Sequence, residues 1–195
     1  MAKENVQKKR RKVVVSKKAK KWFTITAPKM FDNKEIGHTR GIDDTKITGR
    51  KFTLPMNQLT GSFSDYDSSV TLKIINVMDG CAHSEYAGQA LMEDKISRLV
   101  NKWSSRIDTI TDISSTDNRT VRVKLVTITA ERVKVNVKKE IRSNVEGTVV
   151  ELLKKMSFDS VVKEILDKKF SRTIKTRASK VYPIRSVDIR MVEVL

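Results

Sequence analysis

The fold is decided by the stretch VTLKIINVMDGCAHSEYA, residues 70–87. Val70, Leu72 and Ile74 recur at every second position, which is the period of a β-strand with one buried face. Asp79-Gly80 follows, and this dipeptide is the strongest short-range signal for a two-residue hairpin turn. The stretch therefore predicts two antiparallel strands, of which the second runs from Cys81 to Ala87.

Further strands are predicted on both sides of this hairpin. Each is marked by β-branched and aromatic residues or by alternation, and turn residues bound it. The polar segment from Ser114 to Thr120 joins two of these strands into a second hairpin, whereas residues 40–46 read as a loop. The predicted strands are Trp22–Ala27, Arg50–Met56, Ile107–Ile113, Val121–Thr129 and Val187–Leu195.

Four segments show the 3.6-residue period of helices that pack on a sheet. The first carries the stripe Met92, Ile96, Leu99, Val100, Trp103 and Ile107. The second carries Val137, Ile141, Val145, Val149, Leu153 and Met156. A third helix, capped by Ser157 or Asp159, passes through Val162, Ile165 and Leu166, and a fourth, basic helix covers Phe170–Ala178.

The order of these elements predicts the fold class and the domain organisation. Strands joined as hairpins favour an antiparallel sheet, and the helices are expected to cover it. We predict an α+β fold with a mostly antiparallel, barrel-like β core flanked by helices. Residues 22–195 form this single domain, and residues 1–21 form a separate basic tail.

The tail is the most strongly charged part of the chain. Residues 1–21 hold ten lysines and arginines and one acid, so +9 of the total net charge of +17 lies there. A block of like charges repels itself and has little apolar surface to bury, so it stays disordered when free. Because a polyanion would neutralise it, nucleic acid is the expected partner.

Residues that could carry chemistry are few. Cys81, His83 and His38 fit no common zinc spacing, so a small thiol near surface imidazoles is the simpler interpretation. Asp108 and Asp112 share a strand face, which leaves a metal-dependent nuclease open, although solvated counter-charges explain them equally. The chain has no glycine-rich phosphate loop. We therefore expect no enzyme, no catalytic residues, no metal and no cofactor.

The remaining composition indicates the compartment. Cys81 is the single cysteine, no signal peptide is recognisable at the start, and no window approaches the apolar length of a membrane span. These features predict a cytoplasmic protein without membrane contact.

Basic residues and one aromatic residue are the candidate binding site. Lysine and arginine suit phosphate, because each neutralised phosphate releases a condensed counterion. Trp22 follows the tail directly and can stack on an unpaired base or pack in the sheet. Only 6% of the residues are aromatic, so contacts should run mainly through phosphates and RNA shape. The predicted RNA-binding residues are Lys8, Lys9, Arg10, Arg11, Lys12, Lys17, Lys18, Lys20, Lys21, Trp22, Arg50, Lys51, Arg172, Lys175, Arg177 and Lys180.

A series of short motifs from Lys20 onward resembles the S3Ae (eS1) family of small-subunit ribosomal proteins of archaea and eukaryotes, at archaeal length. Their order and spacing carry the resemblance. The motifs are Lys20-Lys21-Trp22-Phe23, Ala27-Pro28-Lys29-Met30-Phe31, Ile36-Gly37-His38-Thr39, Gly49-Arg50-Lys51-Phe52, Asp94-Lys95-Ile96 with Lys102-Trp103, and Val181-Tyr182-Pro183-Ile184 with Val187 and Val192.

The resemblance implies a structural rRNA-binding protein rather than an enzyme. It also implies a β-barrel-like core flanked by helices and a position on the platform of the small subunit, near the mRNA exit and the rRNA 3′ end. The expected partners are small-subunit rRNA, neighbouring ribosomal proteins and the mRNA near its exit. Two alternatives stay open on the residues alone: a chromatin or duplex-DNA-binding protein, and a metal-dependent nuclease.

Overall fold

The structure is a computed structural model that describes residues 19–154 and 156–195. Strands and helices alternate in blocks along the chain, as the sequence predicts. The strands are β1 Lys21–Thr26, β2 Glu35–Gly41, β3 Lys51–Pro55, β4 Ser68–Met78, β5 Cys81–Leu91, β6 Arg106–Ser114, β7 Thr120–Thr129 and β8 Ile184–Val194. The helices are α1 Met56–Thr60, α2 Glu93–Leu99, α3 Val135–Leu153, α4 Phe158–Leu166 and α5 Lys168–Ala178.

The hairpin of β4 and β5 forms where the sequence places it. Asp79 and Gly80 have φ angles of 50° and 80°. Positive φ at both central residues is what a type I′ turn requires, and its twist matches that of the flanking strands. The two strands pair antiparallel from Ser68↔Leu91 to Met78↔Cys81, so the prediction is confirmed and the hairpin is longer than expected.

Strand β5 is the centre of the sheet because three strands pair with it. Along one edge it pairs with β4, and on the other it pairs with two strands in succession. Residues Cys81–His83 pair in parallel with β1, and Gly88–Ala90 pair antiparallel with β8. A Cβ atom built at Gly88 would lie 2.3 Å from the Val192 carbonyl oxygen, so glycine permits this close approach.

The first half of the sheet curls so that β2 and the start of β3 come together. The Gly49 amide donates to the Ile74 carbonyl at 2.8 Å, and the Arg50 guanidinium donates to the Arg40 carbonyl at 2.9 Å. Fully buried Ile47 fills the interior of the curl, where it packs with Phe23, Ile25, Ile74 and Ala82. This small apolar cluster is the centre of a barrel-like half.

The helices pack against the other half of the sheet. α3 buries Ile141, Val145, Val149 and Leu153, and α5 buries Phe170, Ile174 and Ala178, each at helical spacing. With the buried face of α4 they cover Tyr86, Val123, Leu125 and Val192 of the sheet. The three later helices are therefore confirmed, although Met156 of the second predicted stripe lies beyond the end of α3. Their unburied positions carry the charged residues.

Ser157 stands at the N-cap position of α4, but a different residue caps the helix. The Ser157 hydroxyl lies 2.9 Å from the Ser160 hydroxyl and forms no hydrogen bond to a backbone amide of the first turn. The Phe158 amide instead donates to the Asp117 carboxylate at 2.9 Å. The cap is thus supplied from the turn between β6 and β7, which no local pattern reveals.

The predicted helix from Met92 to Ile107 is wrong in its second half. α2 ends at Leu99, Val100 is extended, and Ile107 belongs to β6 with its side chain in the core. A turn from Asn101 to Ser104 intervenes, in which the Ser104 hydroxyl donates to the Asn101 carbonyl at 2.7 Å. Serine and asparagine compete in this way for backbone groups, which ends the helix.

The pairing gives an open, mostly antiparallel sheet in the order β2-β1-β5-β8-β7-β6, with β4 and β3 continuing from β5. The predicted α+β class is confirmed. Residues 40 and 41, expected in a loop, belong to the end of β2. Among the described residues, no helix is both long enough and apolar enough to cross a membrane.

Candidate nucleic-acid interface

The tail meets the folded body at β1. The predicted contacts Lys8, Lys9, Arg10, Arg11, Lys12, Lys17 and Lys18 lie outside the described residues. Lys20 and Lys21 are both exposed, and Lys21 pairs with Gly41 at the start of the sheet. The tail therefore ends where β1 begins, at a position that the sheet holds in place.

Trp22 lies on the surface. Its side chain is 66% exposed, so the interpretation that it packs in the sheet is wrong. Arg40 is its partner in the β1–β2 register, and the guanidinium carbon lies 5.0 Å from the centroid of the indole. A flat aromatic face and a cation thus stand together beside the tail. Arg40 was missed from the sequence, although hairpin register opposite Trp22 would have found it.

Further side chains on the same side of the sheet as Trp22 and Arg40 follow along β1, β2 and β5. Thr24 pairs with His38 and Cys81, and Thr26 pairs with His83. The threonine hydroxyls lie 3.3 Å from Nδ1 of His38 and 3.1 Å from Nδ1 of His83, so each imidazole has a hydroxyl neighbour. Within residues 19–154 and 156–195, no three histidine, cysteine or acidic residues are grouped as a metal site requires.

Two lysines face each other farther along this side of the sheet. Lys51 pairs with Lys73, and Lys73 pairs with Glu85. Glu85 forms an ion pair with Arg119, and the Arg119 guanidinium also lies 4.9 Å from the Phe158 ring. Lys51 and Lys73 have no ion pair in the part of the chain that the structure describes. Like charges directly opposite on a sheet repel each other, so a bound anion would stabilise this pair.

We call this side of β1 to β5 the outer sheet face. It brings together two of the predicted residues, Trp22 and Lys51, and adds Arg40 and Lys73. Its members are Trp22, Thr24, Thr26, His38, Arg40, Lys51, Lys73, Cys81, His83 and Glu85.

Arg50 has a structural role beside this face. Its guanidinium donates to the Thr39 hydroxyl at 3.1 Å, to the Arg40 carbonyl at 2.9 Å and to the Lys46 carbonyl at 3.0 Å. These bonds hold the link between β2 and β3 closed. The side chain is exposed, but most of its donor capacity is already used within the protein.

α5 and the turn that follows it present a second basic surface. Arg172, Lys175 and Lys180 are exposed and form no ion pair among the described residues, whereas Arg177 is bound to Glu151. Because the buried stripe of α5 packs on the Tyr86 side of the sheet, this surface faces away from the outer sheet face. The structure therefore divides the predicted contacts of the body between two sides of the molecule.

The acidic residues considered for catalysis are held by arginines. Both oxygens of Asp108 accept from Arg106, at 2.8 and 3.0 Å, and both oxygens of Asp112 accept from Arg122, at 2.7 and 2.8 Å. The hydrogen bonds from Arg122 lower the pKa of Asp112. Carboxylates paired in this way are counter-charges of the sheet surface rather than free metal ligands.

Comparison with known proteins agrees with these features. The sequence profile of the Ribosomal S3Ae family matches residues 8–195. The chain is 33% identical over 182 residues to small ribosomal subunit protein eS1 of Methanopyrus kandleri, which covers 91% of this chain and 86% of the relative. It is 34% identical to the eS1 protein of Sulfurisphaera tokodaii, over 91% of this chain and 92% of the relative.

The match extends over nearly the whole length of a third archaeal relative. Small ribosomal subunit protein eS1 of Methanobrevibacter smithii is 30% identical, with 96% of this chain and 97% of the relative covered. This chain belongs to the ribosomal S3Ae family, whose members are structural components of the ribosome rather than enzymes.

Proposed function

We propose that this chain is a structural constituent of the small ribosomal subunit, in the cytoplasmic ribosome, and that it binds rRNA. Its position is on the platform near the mRNA exit and the rRNA 3′ end, with neighbouring ribosomal proteins as further partners and mRNA passing close by. Residues 1–21 act as a basic tail, and residues 22–195 act as one docking domain.

The observation that carries this proposal is that several acidic residues of the body are in ion pairs, whereas many of the described lysines and arginines are not. Several acids of the body are bound to an arginine or lysine, as in Asp67, Asp108 and Asp112. Exposed lysines and arginines remain that have no ion pair within the described residues, among them Lys51 and Lys73 on the outer sheet face, Arg172 and Lys175 on α5, and Lys102 and Arg132 beside the turn between α2 and β6. Unpaired cations on several sides of a small domain suit a polyanion that surrounds it, as folded RNA does.

The proposed contacts follow from this distribution of charge. The outer sheet face contributes Trp22, whose indole is open to an unpaired base, and Lys51, which faces Lys73. Arg50 acts beside them mainly by positioning Arg40. The remaining proposed phosphate contacts are Lys8, Lys9, Arg10, Arg11, Lys12, Lys17, Lys18, Lys20, Lys21, Arg172, Lys175, Arg177 and Lys180.

Sedimentation of the full chain tests the proposal. When the protein is expressed with a small tag, it should migrate with small ribosomal subunits in a sucrose gradient and stay bound in moderate salt. A variant with Arg172, Lys175 and Lys180 changed to glutamine should leave the subunit at lower salt, because three cations that neutralise phosphates are removed. Recovery of the unaltered protein only in the free fractions at low salt would contradict the proposal.

Competition distinguishes RNA from duplex DNA, the alternative that uses the same charges. At one fixed salt concentration, structured small-subunit RNA should displace labelled RNA from the protein far better than duplex DNA of equal phosphate content. Equal competition would favour a general polyanion binder.

A further inference from the structure

The turn between α2 and β6 presents a second tryptophan to solvent. Trp103 is 71% exposed, whereas Ile107, which follows the turn in β6, is fully buried. Its φ angle is +73°, in the left-handed region. A bulky side chain is rare there, and glycine is the residue that this backbone favours.

Hydrogen bonds hold the turn in this conformation. The Ser104 amide donates to the Asn101 carbonyl at 3.2 Å, and the Asn101 amide donates to the Ser104 hydroxyl at 3.2 Å. Trp103 therefore occupies the third position of a closed four-residue turn. With its terminal amide oxygen turned toward Arg185, Asn101 also accepts at 3.1 Å from that guanidinium, which ties the turn to β8.

Ser105 connects the turn to two other segments. Its amide donates to the Thr129 hydroxyl at 3.0 Å, and its hydroxyl accepts from the Val133 amide at 3.1 Å. Ser105 is buried, so these bonds are shielded from water. They fix the end of β7 and the segment before α3 against the tryptophan turn.

The pocket in front of Trp103 is strongly basic. It has a volume of about 480 Å³. The turn, which includes Lys102, lines one part of it, and Ser105, Arg106, Arg132 and Lys138 line the rest. The Lys102 ammonium lies 5.9 Å from the centroid of the indole. Arg106 is paired with Asp108, whereas Lys102, Arg132 and Lys138 form no ion pair among the described residues. None of the described residues that line the pocket carries a carboxylate.

We propose that this pocket binds one unpaired nucleotide of RNA, whose base stacks on the Trp103 indole and whose phosphate lies between Arg132 and Lys138. An indole face and adjacent cations are the two elements by which proteins hold a single extruded nucleotide. This site rests on the proposed RNA-binding function and adds to it a contact to a base, remote from the tail.

The test uses the full chain with Trp22 changed to phenylalanine, so that Trp103 is the only tryptophan. The probe is an RNA hairpin with one bulged adenosine, and the same hairpin without the bulge is the reference. Anisotropy of a dye on the RNA reports binding, and indole fluorescence reports stacking. We expect both hairpins to bind and the bulged one alone to quench Trp103.

The Trp103→Gly variant, made in the otherwise unaltered chain, provides the second measurement. Since glycine relieves the left-handed conformation, the variant should fold with an unchanged or higher melting temperature. Its affinity for the bulged hairpin should fall about fivefold or more, as the loss of a stacked base requires, and its affinity for the reference hairpin should not change. Phe63→Ala removes an 87% exposed ring beside Tyr66 and should change neither affinity.

The outcomes separate this inference from the proposed function. Binding of both hairpins without quenching, or equal affinities of Trp103→Gly and the unaltered protein, would overturn the nucleotide site and leave RNA binding intact. Absence of binding to any RNA would instead overturn the proposed function. If Trp103→Gly bound RNA normally but failed to enter small subunits, the pocket would belong to a protein neighbour, and the nucleotide site would again be wrong.

Discussion

Trp22 and Phe23 are neighbours in the chain and face opposite sides of β1. Phe23 is 5% exposed and packs with Ile25 and Ile47 in the small core of the curled half, whereas Trp22 lies on the surface under Arg40. Alternation along a strand explains this difference, because successive side chains point to opposite faces. The same alternation does not tell which of the two aromatic residues is buried.

This pair gives a prediction on stability. Trp22→Ala should lower the free energy of unfolding by less than about 1 kcal/mol, since it removes only an exposed interaction with Arg40. Phe23→Ala should lower it by about 3–5 kcal/mol, as the loss of a buried phenyl ring does. Urea unfolding of both variants measures the difference. A large loss for Trp22→Ala would show that the indole is packed.

Arg50 and Lys51 allow a similar separation of structure from binding. Arg50→Lys keeps the charge but removes the forked hydrogen bonds to Arg40 and Lys46, so stability should fall by about 1 kcal/mol. The dependence of RNA affinity on salt should not change.

Lys51→Gln is the matched variant at the adjacent position. It should leave stability unchanged or slightly higher, because the repulsion with Lys73 is removed, and it should reduce the salt dependence. Urea unfolding and RNA titrations at several salt concentrations measure both quantities. The interpretation of Arg50 is contradicted if Arg50→Lys changes the salt dependence and leaves stability intact.

At the scale of elements, α2 is held to the sheet mainly by charge. None of its residues is fully buried. Asp67, just before β4, accepts from Lys95 at 2.8 Å and from Arg98 at 2.9 Å. The hydrogen bond from Lys95, with the charges of both partners, lowers the pKa of the Asp67 carboxyl below its usual value.

The lowered pKa of Asp67 predicts a dependence of stability on pH. A carboxyl with a lower pKa in the folded state stabilises the protein above its unfolded value of 3.8, and this contribution disappears as the pH falls through the folded value. Asp67→Asn should therefore reduce the free energy of unfolding at pH 7, and the difference from the unaltered protein should begin to shrink below about pH 4 and vanish once the pH is below the folded pKa.

Comparing the two proteins at each pH is necessary, because burial raises the pKa of Asp188 and gives the opposite trend. Burial is the largest cause of the raised pKa of Asp188 and is common to both proteins, so this contribution largely cancels in the difference. A difference that is independent of pH would show that Asp67 acts by packing rather than by its charge.

Elements with strong local patterns could be predicted, and those decided by tertiary contacts could not. Asp79-Gly80 and the stripe from Ile141 to Leu153 specify a turn and a helix by themselves. The apolar stripe through Trp103 is equally regular, yet the helix stops because the turn at Asn101–Ser104 and the burial of Ile107 in β6 are together more favourable. Propensity is a weak prior where packing opposes it.

At the scale of the whole molecule, the candidate contacts surround the body instead of forming one patch. β1 joins β5 at Cys81–His83 and β8 joins it at Gly88–Ala90, so the two junctions are separated by about 17 Å along β5. The residue types of the site could be predicted from charge. The placement of these residues on different sides of the molecule could not be predicted, because it depends on the parallel pairing of β1 and on the side of the sheet that the helices cover.

The tail should contribute to binding through charge alone. Changing Lys8, Lys9, Arg10, Arg11 and Lys12 to glutamine should flatten the slope of log affinity against log salt by up to about 0.9 for each phosphate that is no longer neutralised. Exchange of the three lysines for arginine keeps the charge and should leave the slope unchanged. An unaltered slope in the glutamine variant would rule out phosphate binding by these residues.

The place of β8 has a consequence for synthesis of the chain. This strand comes last among the described strands and lies between β5 and β7, so it joins the curled half to the β6–β7 hairpin. A nascent chain that has not yet released residues 184–194 therefore carries two half-sheets with open inner edges. Such edges can pair with other strands. We expect the body to complete its fold only after translation has passed these residues, and to need protection from aggregation until then.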